Sequence, residues 1–220
     1  MLEAQLTQST GDPTLFYQSE GGKMLLICVY VDDVLCRSND EKLMEDFVQR
    51  FSRRFKIRDL GRPTMFVGIK ICEQSECLTI RQSALARNIL KGAGMHESNS
   101  NTTPIDERQR LTKVTKGEEL GDEDEYRWIV GQLIYLVHTR PDLCYAVNQL
   151  SKFTNNPTVK HQLVLKKLLR YVQGTNKEGI SFKKGEEATL EAYSDSDWAG
   201  VDDRQSTSRH VIFWNRSPIS

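Results

Sequence analysis

Two adjacent carboxylates, Asp32 and Asp33, interrupt the most apolar stretch of the chain, and no other feature constrains the fold as much. Met24 to Val31 is the longest unbroken apolar run, and Val34-Leu35-Cys36 follows directly after the two acids. Short apolar runs bounded by turn residues read as buried strands. Two residues between two strands is the spacing of a β-hairpin. Asp-Asp makes an awkward loop, because the charges repel and the glycine that favours a tight two-residue turn is absent. A divalent cation compensates such an arrangement: Mg²⁺ takes carboxylate oxygens and keeps its other positions for water and substrate phosphates. Taken alone, the dipeptide also has a plainer reading, since Asp is a common turn residue.

Around this hairpin, residues 15–82 read as β-rich. Asn39-Asp40-Glu41 opens a helical stretch in which Leu43, Phe47, Phe51 and Phe55 recur every fourth residue, with Ser38, Asn39 or Asp40 as its N-cap. Leu60 to Pro63 reads as a turn, Phe66 to Ile71 as a strand, and Cys77 to Ile80 as that strand's hairpin partner. From Gln82 the period becomes helical, with Ala84, Leu85, Ile89 and Leu90 on one face and an end near Gly92 or Gly94. Residues 97–125 read as a polar linker whose last part, from Glu118 to Glu125, is acidic. Helices are expected over 124–138, 141–153 and 158–173, with Pro141 and Pro157 near their starts. Strands are expected again over 179–183, 189–194 and 210–214.

Composition narrows the function. Lys and Arg number 30 against 30 Asp and Glu, which excludes a strongly basic nucleic-acid-coating protein but not a local basic face. Between Leu143 and Lys177 there is no acid but there are six basic residues: Lys152, Lys160, Lys166, Lys167, Arg170 and Lys177. Such a stretch tracks a phosphate backbone or is simply a solvated helix face. Arg50, Arg53, Arg54, Lys56 and Arg58 form a second cluster with the same two readings. The five cysteines (Cys28, Cys36, Cys72, Cys77 and Cys144) form no C-x-x-C pair, and the four histidines lie at no metal-ligand spacing. A reducing compartment with neither disulfides nor zinc is expected. No apolar run approaches the ~18 residues that span a bilayer, and the first residues lack the apolar core of a secretory signal. The expectation is an intracellular protein, cytoplasmic or nuclear, neither secreted nor in a membrane.

Leu25 to Asp33, with Tyr30-Val31-Asp32-Asp33 at its end, resembles the Y-V-D-D block of reverse transcriptases of the Ty1/copia class of LTR retrotransposons. Phe55 to Gly61 and Phe66-Val67-Gly68-Ile69 are similar to the family's F-x-M-K-D-L-G and F-L-G-I segments. Tyr126-Arg127 to Gly131, then Leu133 to Leu136 and Thr139-Arg140-Pro141-Asp142, match its Y-R-x-x-V-G-x-L-x-Y-L and T-R-P-D signatures. Ala146 to Ser151 and Leu169 to Thr175 continue the series. Ala192 to Gly200, followed by Asp203 to Ser208, resembles the start of the family's RNase H domain. Arg209-His210 stands where the family has Gly-Tyr, and Val201-Asp202-Asp203 is one residue shorter than the usual stretch.

The resemblance implies an α+β fold in three parts. Residues 1–82 would be the C-terminal part of the palm with its metal hairpin and primer grip. Residues 83–178 would be a helical thumb, and residues 179–220 the opening of an RNase H domain. It implies that Asp32 and Asp33 hold Mg²⁺ or Mn²⁺, weakly, and that Tyr30 and Val31 line the primer terminus and incoming nucleotide. Phe66 to Ile69, including Gly68, match the primer grip, and Lys166, Lys167 and Arg170 lie on the duplex. Asp195 matches the first carboxylate of a second two-metal site, while Asp197 reads as structural or solvated and Trp198 as core. The implied partners are an RNA or DNA template–primer and dNTPs. The family's polymerase site needs a further carboxylate from a strand far upstream, and only Glu3, Asp12 and Glu20 precede Asp32. The later acids of the RNase H site have no counterpart either. The expectation is a piece of a longer Pol polyprotein that does not polymerise alone. A non-catalytic nucleic-acid-binding protein and an inert translated remnant remain the alternatives.

Overall fold

The computed structural model describes residues 6–106, 111–185, 188–197 and 207–219. These form an α+β protein of antiparallel sheets and five α-helices, arranged in two compact units that divide between Val67 and Gly68.

In the first unit, β1 (Thr7–Gln8), β2 (Leu15–Glu20), β3 (Lys23–Tyr30) and β4 (Asp33–Ser38) pair antiparallel in sequence order. Gly21 and Gly22, with φ of 57° and 79°, make the β2–β3 turn, which needs left-handed backbone. Asn39 holds this turn from the end of β4: its side chain accepts from the Met24 N–H at 2.7 Å and donates to the Gly22 carbonyl at 3.0 Å. Helix α1 (Glu41–Arg54) follows, with Asp40 as the N-cap accepting from the Leu43 N–H at 2.8 Å. Asp40 also pairs with Lys23 at 2.7 Å. Strand β3 shows the period of two expected of a half-buried strand: Leu25 and Ile27 are buried, Met24 and Leu26 exposed. The buried side meets Phe47, Leu43 and Phe51 of α1, and Phe47 and Phe51 stack at 5.4 Å. Phe55, expected on this face, lies beyond the last helical residue and is half exposed.

The predicted continuous strand over 66–71 is broken. A short strand β5 (Met65–Phe66) ends where Val67 and Gly68 both take positive φ, 44° and 76°, and β6 (Ile69–Glu73) begins after them. An unbroken apolar sequence hides a turn of this kind, because the β-branched Val67 gives no sign of left-handed backbone.

In the second unit, β6 pairs with β7 (Cys77–Arg81) as expected, and β7 also pairs with β8 (Ile180–Lys183). Strand β8, grouped from the sequence with the later strands of residues 179–220, therefore belongs to a sheet whose other strands lie far earlier in the chain. Gly179 permits this closure, since a Cβ there would stand 2.2 Å from the Ile80 carbonyl oxygen. Thr79 and Ser181 then share a hydroxyl hydrogen bond of 2.9 Å. The remaining strands, β9 (Leu190–Asp197), β10 (Thr207–Trp214) and β11 (Ser217–Pro218), form a separate antiparallel sheet in the order β11-β10-β9. Trp198 and Val201 to Ser206, read from the sequence as core and signature residues, lie outside the described residues.

Four helices build the main core: α2 (Ser83–Gly92), α3 (Glu123–Leu136), α4 (Cys144–Ser151) and α5 (Val159–Gly174). Ile89, Leu90, Leu133, Leu150, Leu168 and Val172 are all at most 1% exposed. The acidic run before α3 is a helix start: Asp122 caps it and Glu123, Asp124 and Glu125 fill its first turn, where the helix dipole favours negative charge. Pro141 opens a 3₁₀ turn ahead of α4. Pro157 stands one residue outside α5, whose N-cap is Thr158. Arg140, 2% exposed, ties this region together. It donates to both carboxylate oxygens of Asp142 at 2.9 and 2.7 Å, and to the Thr175 carbonyl and hydroxyl, each at 2.7 Å.

Candidate functional site

The hairpin forms, with its turn one residue earlier than expected. Val29 pairs with Val34 and Tyr30 with Asp33, so the loop is Val31-Asp32 and Asp33 is the first residue of β4. Val31 takes φ 53° at 88% exposure. A β-branched residue in left-handed backbone is strained, by an amount on the order of 1–3 kcal/mol, and such residues cluster at active sites.

Strand register decides what shares a face with the acids. Residues directly opposite one another project to the same side of a sheet. Tyr17 opposite Leu26, Cys28 opposite Leu35, and Tyr30 opposite Asp33 therefore occupy one side. It is the side that α1 does not cover, because α1 packs on Leu25 and Ile27. Tyr30 is 54% exposed on this open, largely apolar face. Asp32 and Asp33 are exposed, and neither carboxylate is engaged by a cation or a hydrogen-bond donor among the described residues. Two free carboxylates on one tight turn suit a single hydrated Mg²⁺ or Mn²⁺. Among the described residues no group of three His, Cys, Asp or Glu side chains comes together, so no third protein ligand joins them.

The other sequence-predicted residues lie as follows. Phe66 is half-buried at the end of β5, and Gly68 is exposed with φ 76°. Asp195 lies exposed in β9 of the second unit, opposite Arg209 in register. Lys166, Lys167 and Arg170 project from one side of α5 into a groove of about 370 Å³ that Asn99, Ser100, Asn101 and Leu163 also line. Lys166 and Arg170 are exposed with no partner for their side chains among the described residues, whereas Lys167 is ion-paired with Asp106. Of the other basic residues in that stretch, Lys160 pairs with Glu118 at 2.7 Å. Hydrogen bonds from Lys160 and from the Thr115 N–H hold the Glu118 carboxyl down at about 2. The loop 99–101 is a part of the groove that sequence reasoning missed. Its run of Asn and Ser reads as linker, and the available signal, its neutral polarity beside a basic helix, needs the third dimension to be seen. Arg50, Arg53, Lys56 and Arg58 are all exposed in or just after α1.

No helix among the described residues is long and apolar enough to cross a membrane. Residues 1–107 match the family described as reverse transcriptase (RNA-dependent DNA polymerase). The chain is 38% identical over its whole length to the retrovirus-related Pol polyprotein from transposon RE1 of Arabidopsis thaliana, covering 15% of that protein. It is 31% identical, over 95% of its length, to the Pol polyprotein from transposon TNT 1-94 of Nicotiana tabacum, covering 16% of it. An uncharacterized mitochondrial protein of Arabidopsis thaliana is 34% identical over 89% of this chain and 81% of its own length. The chain thus spans only about 15% of the length of the Pol polyproteins it matches. No solved structure gives a significant match.

Proposed function

The chain belongs to the reverse transcriptase family of Ty1/copia-type retrotransposon Pol polyproteins, and from that premise we propose that it carries the metal hairpin and duplex-binding portions of an RNA-directed DNA polymerase. In the proposed assignment, residues 1–82 correspond to palm, 83–178 to thumb and 179–220 to the opening of an RNase H domain. The observation that carries the reading is the β3–β4 tip. Two unpaired carboxylates follow a residue at positive φ and border an open sheet face. Asp32 and Asp33 would hold the divalent cation, which in this chemistry stabilises the attacking and leaving oxygens of phosphoryl transfer. Tyr30 and the backbone at Val31 would position the primer's 3′-hydroxyl and the dNTP, and Phe66 with Gly68 would bear on the primer strand. Lys166 and Arg170 would meet backbone phosphates, with Lys167 available once Asp106 gives way. Asp195 would begin a second metal site. Two carboxylates on one turn do not fix two ions ~3.5–4 Å apart, so the 220-residue chain is proposed to bind template–primer without extending it.

A non-catalytic role in nucleic-acid binding is the second reading, and the α5 groove favours it. Both readings share one test. Fluorescence anisotropy with a labelled RNA–DNA template–primer should show salt-dependent binding by the chain. Lys166→Glu and Arg170→Glu should each weaken it uniformly across sequences and lower the slope of log affinity against log salt by about 1. Equal affinity and slope in wild type and both variants would remove the groove from the binding surface.

A further inference from the structure

His161 is the N3 residue of α5 and is 2% exposed. Its ring closes a capping box in which the usual Glu or Gln is replaced by imidazole. The Thr158 N–H donates to Nδ1 at 2.9 Å, and the His161 N–H donates to the Thr158 hydroxyl oxygen at 3.4 Å. Nε2 lies 3.1 Å from the Thr112 carbonyl oxygen, which only accepts. These partners fix the protonation: Nε2 carries the hydrogen and Nδ1 is bare. Phe153, beyond the end of α4, stacks on the ring at 4.1 Å.

Thr112 belongs to a strap, residues 111–122, that crosses the start of α5. The Val159 N–H donates to the Glu119 carbonyl at 3.1 Å and the Gly121 N–H to the Pro157 carbonyl at 2.8 Å. Leu120 bridges to Thr158, and the strap ends in Asp122, the N-cap of α3. His161 is thus one of several ties between the strap and the first turn of α5, beside these backbone bonds and the Lys160–Glu118 ion pair at 2.7 Å, and the strap leads directly into α3.

We infer that His161 is an acid-operated latch: the neutral ring ties the strap to α5 at Thr112, and a proton on Nδ1 undoes the ring's part of the capping box and so loosens the strap against the ties that remain. Protonation turns the Nδ1 acceptor into a donor that loses the Thr158 N–H and has only the Thr158 hydroxyl oxygen, 3.2 Å away, to turn to, and it puts a cation in a buried site. The charged groups facing the ring are Glu118 of the strap and Lys160 of α5. Burial pushes the imidazole below its ordinary value of 6.5, against the opposing pull of the Thr112 hydrogen bond and Glu118. A depressed value means that the opened state binds the proton more readily. Stability from the latch is therefore complete above 6.5 and is lost as pH falls from there through the folded-state value. Glu118, held at about 2, stays charged throughout that range.

Amide hydrogen exchange of the whole chain between pH 5.0 and 7.5, corrected for intrinsic rates, reads the latch directly. The opening constant of segment 111–122 should rise by up to about tenfold per pH unit below 6.5, then level off. His161→Gln, which keeps an acceptor at N3 without titrating, should flatten the profile. A flat wild-type profile, or a parallel rise in the variant, would overturn the inference. Nitrogen-15 NMR of the wild-type imidazole covers the case of a variant that does not fold. The Nε2–H tautomer with a midpoint below 6.5 supports the latch, and an Nδ1–H tautomer or a higher midpoint contradicts it.

Discussion

At the β3–β4 tip, Asp32 and Asp33 stand exposed without a cation, beside a valine in left-handed backbone. In the helix cluster, Arg140 is almost fully buried, yet its guanidinium meets Asp142 and Thr175 through four hydrogen bonds. Burial pushes the Asp142 carboxyl up, but the hydrogen bonds and charge of Arg140, helped by the Tyr171 hydroxyl, outweigh it and hold the group below the usual carboxylate range. The two regions place charge for opposite ends. Around Arg140 each ion satisfies another group of the same chain, which ties the end of α5 to the turn between α3 and α4. At the tip the carboxylates have no partner among the described residues, and the backbone beside them is strained. A site that binds a ligand looks locally unfinished, and a framework looks complete.

The comparison breaks most visibly at Arg140. Arg140→Ala removes a nearly fully buried guanidinium with its four hydrogen bonds and leaves the Thr175 carbonyl without that donor, at a cost of about 2–5 kcal/mol. Urea unfolding followed by tryptophan fluorescence should show a loss of that size, and a loss below about 1 kcal/mol would mean that the network is ornamental. A second contrast lies within one strand. Leu25→Ala should cost about 2–5 kcal/mol, because Leu25 is fully buried against α1, while Leu26→Thr on the open face should stay within about 0.5 kcal/mol. If the two substitutions cost the same, the face carrying Tyr30 and Asp33 is not open. The effect of opposite sign is expected at the tip, where Val31→Gly should stabilise the unit by up to about 1 kcal/mol by relieving the positive φ. Destabilisation there would show that Val31 is unstrained.

The elements legible in the sequence were those with a strong local period. The β3–β4 hairpin, α1 with Asp40 as its cap, the β6–β7 pair and all four helices of the cluster fall close to where the apolar spacing puts them. What escaped was set by distant partners or by backbone sign. Strand β8 reads as a strand at Ile180–Lys183, but nothing local says that Cys77–Arg81 is its neighbour. The turns at Val31 and Val67 are hidden because valine favours strands, and only the cross-strand register reveals the left-handed residue. The carboxylates themselves were visible as a motif. Their lack of partners, and the loop 99–101 beside Lys166 and Arg170, were not, because both depend on what the fold brings near.

The tip is proposed as one part of a polymerase site, open and charged but joined by no third carboxylate among the described residues. Templated primer extension by the 220-residue chain on an RNA template, with Mg²⁺ and separately Mn²⁺, tests that most directly. Positioning supplies most of the barrier reduction in phosphoryl transfer, so the account predicts no detectable dNTP incorporation alongside measurable duplex binding. Incorporation by the wild type that vanishes in Asp32→Asn would contradict it, by showing that another carboxylate of the chain or of a second copy completes the site.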